Sequence, residues 1–178
     1  MEKTLFSQQV YDGGFIQVTE DRVLLPSGRE GKRSVVRHKG GAAVVALDHQ
    51  TRVALVRQYC YRYATDREMI ELPAGKLEDN EPPMEAAVRE LEEEAGLTAE
   101  SWQAFGQIVP TCGYCDEIIY LFLATRLQEV EQKLDEDEYL SLFWLPLDQA
   151  VAMVLSGEID DAKTVSGLLR AWLALMPR

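Results

Sequence analysis

The chain has 178 residues, 47% of them hydrophobic and 27% charged, which suits one folded domain with a sizeable core. Acidic residues outnumber basic ones by 30 to 18, and the net charge of −12 argues against non-specific nucleic-acid binding. No apolar run nears the roughly 20 residues that span a bilayer. Met1-Glu2-Lys3-Thr4-Leu5 opens no long apolar stretch of signal-peptide type, so a cytoplasmic location away from membranes is expected.

Residues 5–11 and 15–25 are rich in β-formers and flank a turn signal, Asp12-Gly13-Gly14. Pro26-Ser27-Gly28 turns the chain toward a third strand, Lys32–His38. Two more strands, Gly41–Leu47 and Val53–Tyr59, lie either side of a polar turn at Asp48–Thr51. Met69-Ile70-Glu71-Leu72 reads as a short strand that stops at Pro73-Ala74-Gly75. Pro82 and Pro83 suit a helix's first turn, where absent N–H groups are not needed. Ala86, Ala87, Leu91 and Ala95 give that helix an apolar stripe, and Gly96 supplies a left-handed stop. Strands follow at 102–108, 117–125 and 140–146. A helix over 147–156 ends at Gly157, and another covers about 161–175 with Val165, Leu168, Leu169, Trp172 and Leu175 as its apolar face. This order predicts an α/β fold with a mixed sheet and helices on its faces.

Three cysteines, Cys60, Cys112 and Cys115, argue against a disulfide framework. Cys112 and Cys115 have C-x-x-C spacing, but a redox pair usually opens a helix and here a strand follows. A zinc site would need further ligands, and only His38, His49 and Cys60 remain to supply them. Loop thiols are the expected reading.

Residues 75–97 carry the chemistry. Glu90 and Glu94 stand four apart on one helix and so project from the same face, with Glu93 beside them. Like charges at that spacing weaken a helix by roughly 0.2–0.5 kcal/mol per pair. A divalent cation between them reverses the sign. Hard ions such as Mg²⁺ favour carboxylate oxygen and commonly bridge to phosphates. An isolated E-x-x-E-E is more often a solvated helix face than a metal site; the full spacing is what distinguishes this one. Gly75, five residues, Glu81, seven residues, Arg89-Glu90-Leu91, one residue, Glu93-Glu94, one residue and Gly96-Leu97 together resemble the complete Nudix box.

The resemblance implies a Nudix α/β/α sandwich and hydrolysis of a nucleoside diphosphate linked to another group. Carried over by position, it implies metal binding by Glu90, Glu94 and the Ala74 carbonyl, with Glu93 a further candidate. Arg89 is expected to fix a loop carboxylate by a charge-assisted bond rather than touch substrate. The metal implied is Mg²⁺, with Mn²⁺ as the alternative.

Residues 1–39 precede the part similar to the Nudix fold proper. Within the family, the ADP-ribose pyrophosphatase-like members carry such a β-rich N-terminal extension and use it to form a homodimer and complete the partner's nucleotide site. That implies a division into 1–39, an extension for dimerisation, and 40–178, the hydrolase domain. Phe15 falls where those enzymes place an aromatic near the base, although an ordinary interface or core role fits as well. Arg33 falls near a phosphate-contacting arginine, although a plain surface strand arginine fits too.

Asp135-Glu136-Asp137-Glu138 precedes the strand at 140–146. Four adjacent acids suit a solvated loop. Water attacking phosphorus nevertheless needs a carboxylate to take its proton. The resemblance assigns the base to Glu136, with Glu93 the alternative, and a metal-ligand role to Glu138. The loop Pro110–Glu117 resembles the substrate loop of the same enzymes, implying contacts from Thr111, Cys112, Gly113 and Glu117. It departs from their pattern at Cys112, where a proline is usual. Cys60 also stands where a substrate arginine is common, leaving Arg62 or Arg57 to substitute.

The expected activity is Mg²⁺-dependent cleavage of a nucleoside diphosphate sugar, ADP-ribose first, to AMP and ribose 5-phosphate. GDP-mannose, another sugar nucleotide or a dinucleotide is the alternative substrate. A nucleotide sensor without catalysis is the alternative from a different class.

Overall fold

The computed structural model describes residues 1–59, 67–134 and 139–176. Two compact units divide the chain: Met1–Gly40 with Val109–Ile118, and Gly41–Ile108 with Ile119–Arg178.

In the first unit, β1 (Lys3–Asp12), β2 (Ile16–Leu24) and β3 (Glu30–His38) form an antiparallel sheet in the order β1-β2-β3. The predicted turn is present: Gly14 has φ 83° and Asp12 Oδ1 accepts its amide hydrogen at 3.0 Å, an arrangement that needs a residue without Cβ. Every residue of β1 is exposed, Phe6, Val10 and Tyr11 by half or more. The 109–118 loop bonds to β3, the Val36 amide donating to Tyr114 O and the Asp116 amide to Val36 O.

The described residues of the second unit form two sheets. One is β10-β5-β6, built from β5 (Arg52–Tyr59), β6 (Glu68–Glu71) and β10 (Leu140–Pro146). The other is β7-β4-β9-β8, built from β4 (Gly41–Ala46), β7 (Ala74–Lys76), β8 (Leu97–Ile108) and β9 (Ile119–Glu129). The β4–β9 pair is parallel and the rest antiparallel, which makes the predicted mixed sheet.

Strand alternation explains the layers. In β4, Ala42, Val44 and Ala46 join one core with Ala86, Ala87, Leu91 and Ala95 of α1 (Pro83–Ala95). Ala43 and Val45 point the other way, into a core with Leu147, Ala150 and Val151 of α2 (Leu147–Ser156) and Leu168 and Ala171 of α3 (Ala162–Leu175). Helices thus cover both faces, as an α/β/α sandwich requires. The buried leucines Leu55, Leu72, Leu91, Leu121, Leu147 and Leu168 each contribute about 1.5–3 kcal/mol by leaving water.

Several element bounds differ from expectation. The edge strand β7 was not predicted, because Ala74-Gly75-Lys76 carries no β-forming residue. β8 begins five residues before the expected Trp102, as pairing with β9 overrides the weak propensity of Leu97–Ser101. On α3, Leu168 is buried and Val165, Leu169 and Trp172 pack against the same core as expected, but Leu175 is exposed and the fully buried face adds Thr164, Gly167 and Ala171. Small residues form that face because the helix lies close against β4 and Leu72: a Cβ on Gly167 would meet Leu72 Cδ1 at 2.6 Å and Val45 Cγ2 at 3.0 Å.

Candidate active site

The strand–loop–helix unit lies where the spacing predicted. Pro82 caps α1 in an extended conformation, Pro83 occupies its first position, and Gly96 ends it with φ 59°. Those boundaries set the helix phase. Glu90 and Glu94 turn inward and are buried, while Glu93 is 39% exposed.

Both inward carboxylates converge on the backbone of β7. The Ala74 amide donates to Glu94 Oε2 at 2.8 Å. A Cβ on Gly75 would fall inside the Glu90 carboxylate, so this position has to be glycine for Glu90 to pack there. β7 is itself held to β4 through the pairs Ala43↔Ala74 and Ala42↔Gly75. Gly75→Ala is therefore expected to overpack the site and cost about 1–3 kcal/mol. The check is a lowered Tm together with weakened divalent-cation binding; an unchanged Tm would mean that Glu90 does not rest against Gly75.

Arg89 organises the acids around it. Its guanidinium binds Glu81 through two parallel bonds of 2.9 and 3.0 Å, and reaches Glu90 at 2.7 Å, Glu93 at 3.0 Å and the Lys76 carbonyl at 3.2 Å. The bonds from Arg89 hold the Glu81 carboxyl below the ordinary glutamate range despite its partial burial. Those to Glu81 in turn raise Arg89 above its ordinary value, with the charge of Glu90 adding to the effect. The expected role of Arg89, fixing a loop carboxylate, matches this geometry. Glu93 also lines a cleft of about 420 Å³ on the outer side of α1, with Met84, Val88 and Lys133.

The donor set suits a hard divalent cation. Two buried carboxylates one turn apart face a backbone segment, an all-oxygen donor set of the kind such ions favour. Each carboxylate also accepts a bond within this unit, Glu94 from the Ala74 amide and Glu90 from Arg89. Among the described residues, no three or more acidic, histidine or cysteine side chains are gathered tightly enough to enclose an ion by themselves. A full shell would draw on the Ala74 carbonyl, water, phosphate oxygen or the acids at 135–138. Glu136 and Glu138 lie outside the described residues, as do Cys60 and Arg62.

The remaining expected residues lie in the first unit. Phe15 is half exposed and meets the His38 ring edge-on, with centroids 6.0 Å apart at 88°. Arg33 is bound to Glu2 and to the Lys32 carbonyl. The Thr111 carbonyl accepts from the Tyr114 and Cys115 amides, closing a turn that leaves Cys112 and Gly113 at its surface. Cys112 and Cys115 are both free thiols, as expected. Glu117 Oε1 is 3.5 Å from His38 Nδ1, which accepts the Gly40 amide hydrogen.

Sequence reasoning missed the groups that fix this loop. Asp116 accepts from the His38 amide at 2.9 Å and from Arg37 at 3.0 Å, and Arg37 reaches the buried Asp21 at 2.9 Å. The only signal was Asp116 beside Glu117 at the end of a Gly-containing turn. Also missed were Glu71, Asp161, Lys163 and Thr164, a buried polar group between β6 and α3. Asp161-x-x-Thr164 at a helix start is the signal that marks it.

The chain as a whole matches known proteins. The NUDIX domain model covers residues 37–168, and the model of the nucleoside diphosphate sugar hydrolase N-terminal domain covers residues 2–36. The chain belongs to the Nudix family. It is 39% identical to the ADP-ribose pyrophosphatase of Bacillus subtilis over 165 residues, covering 92% of this chain and 88% of that protein. It is likewise 39% identical over 166 residues to the methanol dehydrogenase activator of Bacillus methanolicus, covering 92% of this chain and 89% of that protein. The solved structure of an ADP compounds hydrolase superposes with a TM-score of 0.83 at 21% identity, over 98% of this chain and 94% of that one, and supports the fold.

Proposed function

We propose that this protein is a divalent-metal-dependent pyrophosphatase that cleaves the diphosphate of a nucleoside diphosphate sugar, with ADP-ribose as first substrate and AMP and ribose 5-phosphate as products. The observation that carries the reading is the convergence of buried Glu90 and Glu94 on the Ala74–Gly75 backbone. The matching N-terminal hydrolase model and the relative named for ADP-ribose support the substrate class.

Glu90, Glu94, the Ala74 carbonyl and Glu138 would hold the cation, Mg²⁺ or Mn²⁺. When bound, the ion supplies charge neutralisation for the diphosphate and orientation for the attacking water. Arg89 keeps Glu90 and Glu93 in place and tethers the 76–81 loop through Glu81. Glu136 takes the water's proton as it attacks phosphorus, with Glu93 as the alternative base. The Pro110–Glu117 loop, Phe15, Arg33 and Arg62 form the substrate contacts, Phe15 against the base and Glu117 near a hydroxyl or the water. Bound substrate offers its anionic groups to the metal and to these arginines, which reconciles an anionic ligand with a chain of net charge −12.

A panel of ADP-ribose, GDP-mannose, other sugar nucleotides, NADH and dinucleotide polyphosphates, each with Mg²⁺, tests the substrate. ADP-ribose is expected to give the highest kcat/KM, and turnover is expected to vanish on chelation. Nucleotide binding with no turnover of any member of the panel would favour a sensor instead.

The N-terminal segment 1–39 is read as a dimerisation extension to the 40–178 catalytic domain, because β1 leaves Leu5, Phe6, Val10 and Tyr11 exposed in the single chain. Light scattering should give twice the mass of the 20.1 kDa chain, and Phe6→Asp with Val10→Asp should give the monomer. A monomeric wild type at micromolar concentration would refute this. The described residues include no helix long and apolar enough to cross a membrane.

A further inference from the structure

The Leu72–Ala74 segment, which leads from β6 into β7, is held from three sides. The Ala74 amide bonds to Glu94 of α1, and the Pro73 carbonyl accepts from the Val44 amide of β4 at 2.9 Å. On the third side, the Leu72 amide donates to Thr164 Oγ1 of α3 at 2.9 Å. Pro73 has no N–H, so the Leu72 and Ala74 amides are the segment's only backbone donors, and each meets a side chain from a different helix.

Thr164 is completely buried. Its hydroxyl accepts from Leu72 and donates to Asp161 Oδ2 at 2.7 Å, while its own amide also donates to Asp161 Oδ2, at 2.9 Å. The Asp161 carboxylate thus caps α3 and fixes the hydroxyl's direction, so that a charge-polarised chain runs from Asp161 through Thr164 to the Leu72 amide. One turn along, Gly167 lets α3 approach Leu72 and Val45 too closely for any Cβ. Lys163 adds a second tie, bonding Glu71 of β6 and reaching Asp161 at 3.2 Å.

We propose that Thr164, oriented by Asp161, is a positioning residue that sets where the Leu72–Ala74 segment presents its backbone to the divalent-cation site. This rests on the reading of Ala74, Glu90 and Glu94 as that site. Thr164 lies far along the chain from the Glu90–Glu94 helix, and its hydroxyl bonds Leu72 and Asp161. Its effect reaches the cation through two residues of backbone.

The test is calorimetric titration of the full-length protein with MnCl₂, read beside Tm and the separate kcat and KM for ADP-ribose. Thr164→Val keeps the side-chain shape and deletes the hydroxyl. It should weaken Mn²⁺ binding by about tenfold, the scale on which groups that orient metal ligands act, and lower kcat more than it raises KM. Thr164→Ser, which restores the hydroxyl, should bind Mn²⁺ as the wild type does. If Thr164→Val does not fold, Asp161→Asn decides, with a smaller loss of Mn²⁺ affinity expected. A lowered Tm with wild-type Mn²⁺ affinity in these variants would make Thr164 merely structural and overturn the proposal. Glu94→Gln serves as reference. If it loses Mn²⁺ while the Thr164 and Asp161 variants do not, only this proposal fails; if it too binds Mn²⁺ normally, the cation-site reading fails and takes the proposal with it.

Discussion

Glu94→Gln should lower kcat by about two to three orders of magnitude, the scale of removing one preorganised electrostatic contact from a transition state. KM for the nucleotide should move little, because the lost interaction acts mainly as charge develops at phosphorus. The variant is informative because the glutamine carbonyl can still accept the Ala74 amide hydrogen that Glu94 Oε2 accepts at 2.8 Å. The strand–helix contact is therefore kept while the charge is removed. Tm should hold or rise, since a buried like charge one turn from Glu90 is gone. Steady-state kinetics with Mg²⁺ beside a melting curve checks both. Near wild-type turnover in a folded variant would remove Glu94 from the mechanism.

The second large effect concerns the base. Glu136→Gln should cost about 10²–10⁴-fold in kcat, the usual contribution of a positioned proton acceptor. It should also flatten the acid limb of the kcat–pH profile. Glu93→Gln should cost less, because Arg89 already binds one of its oxygens at 3.0 Å and its main role is then to share in the Arg89 network. Pre-steady-state and pH-dependent assays of the two variants separate the assignments. A greater loss from Glu93→Gln, with the acid limb abolished there and kept in Glu136→Gln, would reverse them.

These two expectations stand on different footing, and the difference tracks what a single sequence can encode. The inward turn of Glu90 and Glu94 was legible because its determinants are local. Pro83 and Gly96 fix where the helix begins and ends, and that alone sets which glutamates face inward. The role of Arg89 was legible for the same reason: Glu81, Glu90 and Glu93 all lie within eight residues of it. The alternating burial of β4 followed from a short apolar strand covered by helices on both faces.

Long-range partners were not legible. Thr164 and Leu72 are 92 residues apart, as are Lys163 and Glu71, and nothing in either local segment announces the other. The α3 face was legible in part: Leu168 is buried and Val165, Leu169 and Trp172 pack against the same core, whereas Leu175 is exposed. What escaped notice was the close approach at Gly167, which selects the small residues Thr164, Gly167 and Ala171 beside them. β7 escaped notice because backbone pairing with β4, not side-chain propensity, makes it a strand. The Arg37–Asp116 link spans 79 residues and was hidden in the same way.

Glu90 and Glu94 turn a helix face toward the Ala74–Gly75 backbone, and the proposed function has them hold a divalent ion there against a diphosphate. A crystal grown with MnCl₂, examined by anomalous scattering at the manganese edge, addresses it most directly. An anomalous peak within coordination distance of Glu90, Glu94 and the Ala74 carbonyl, lost in Glu94→Gln crystals, is the predicted result. Saturating Mn²⁺ with no peak beside those oxygens, in an enzyme that still requires the ion for turnover, would contradict it.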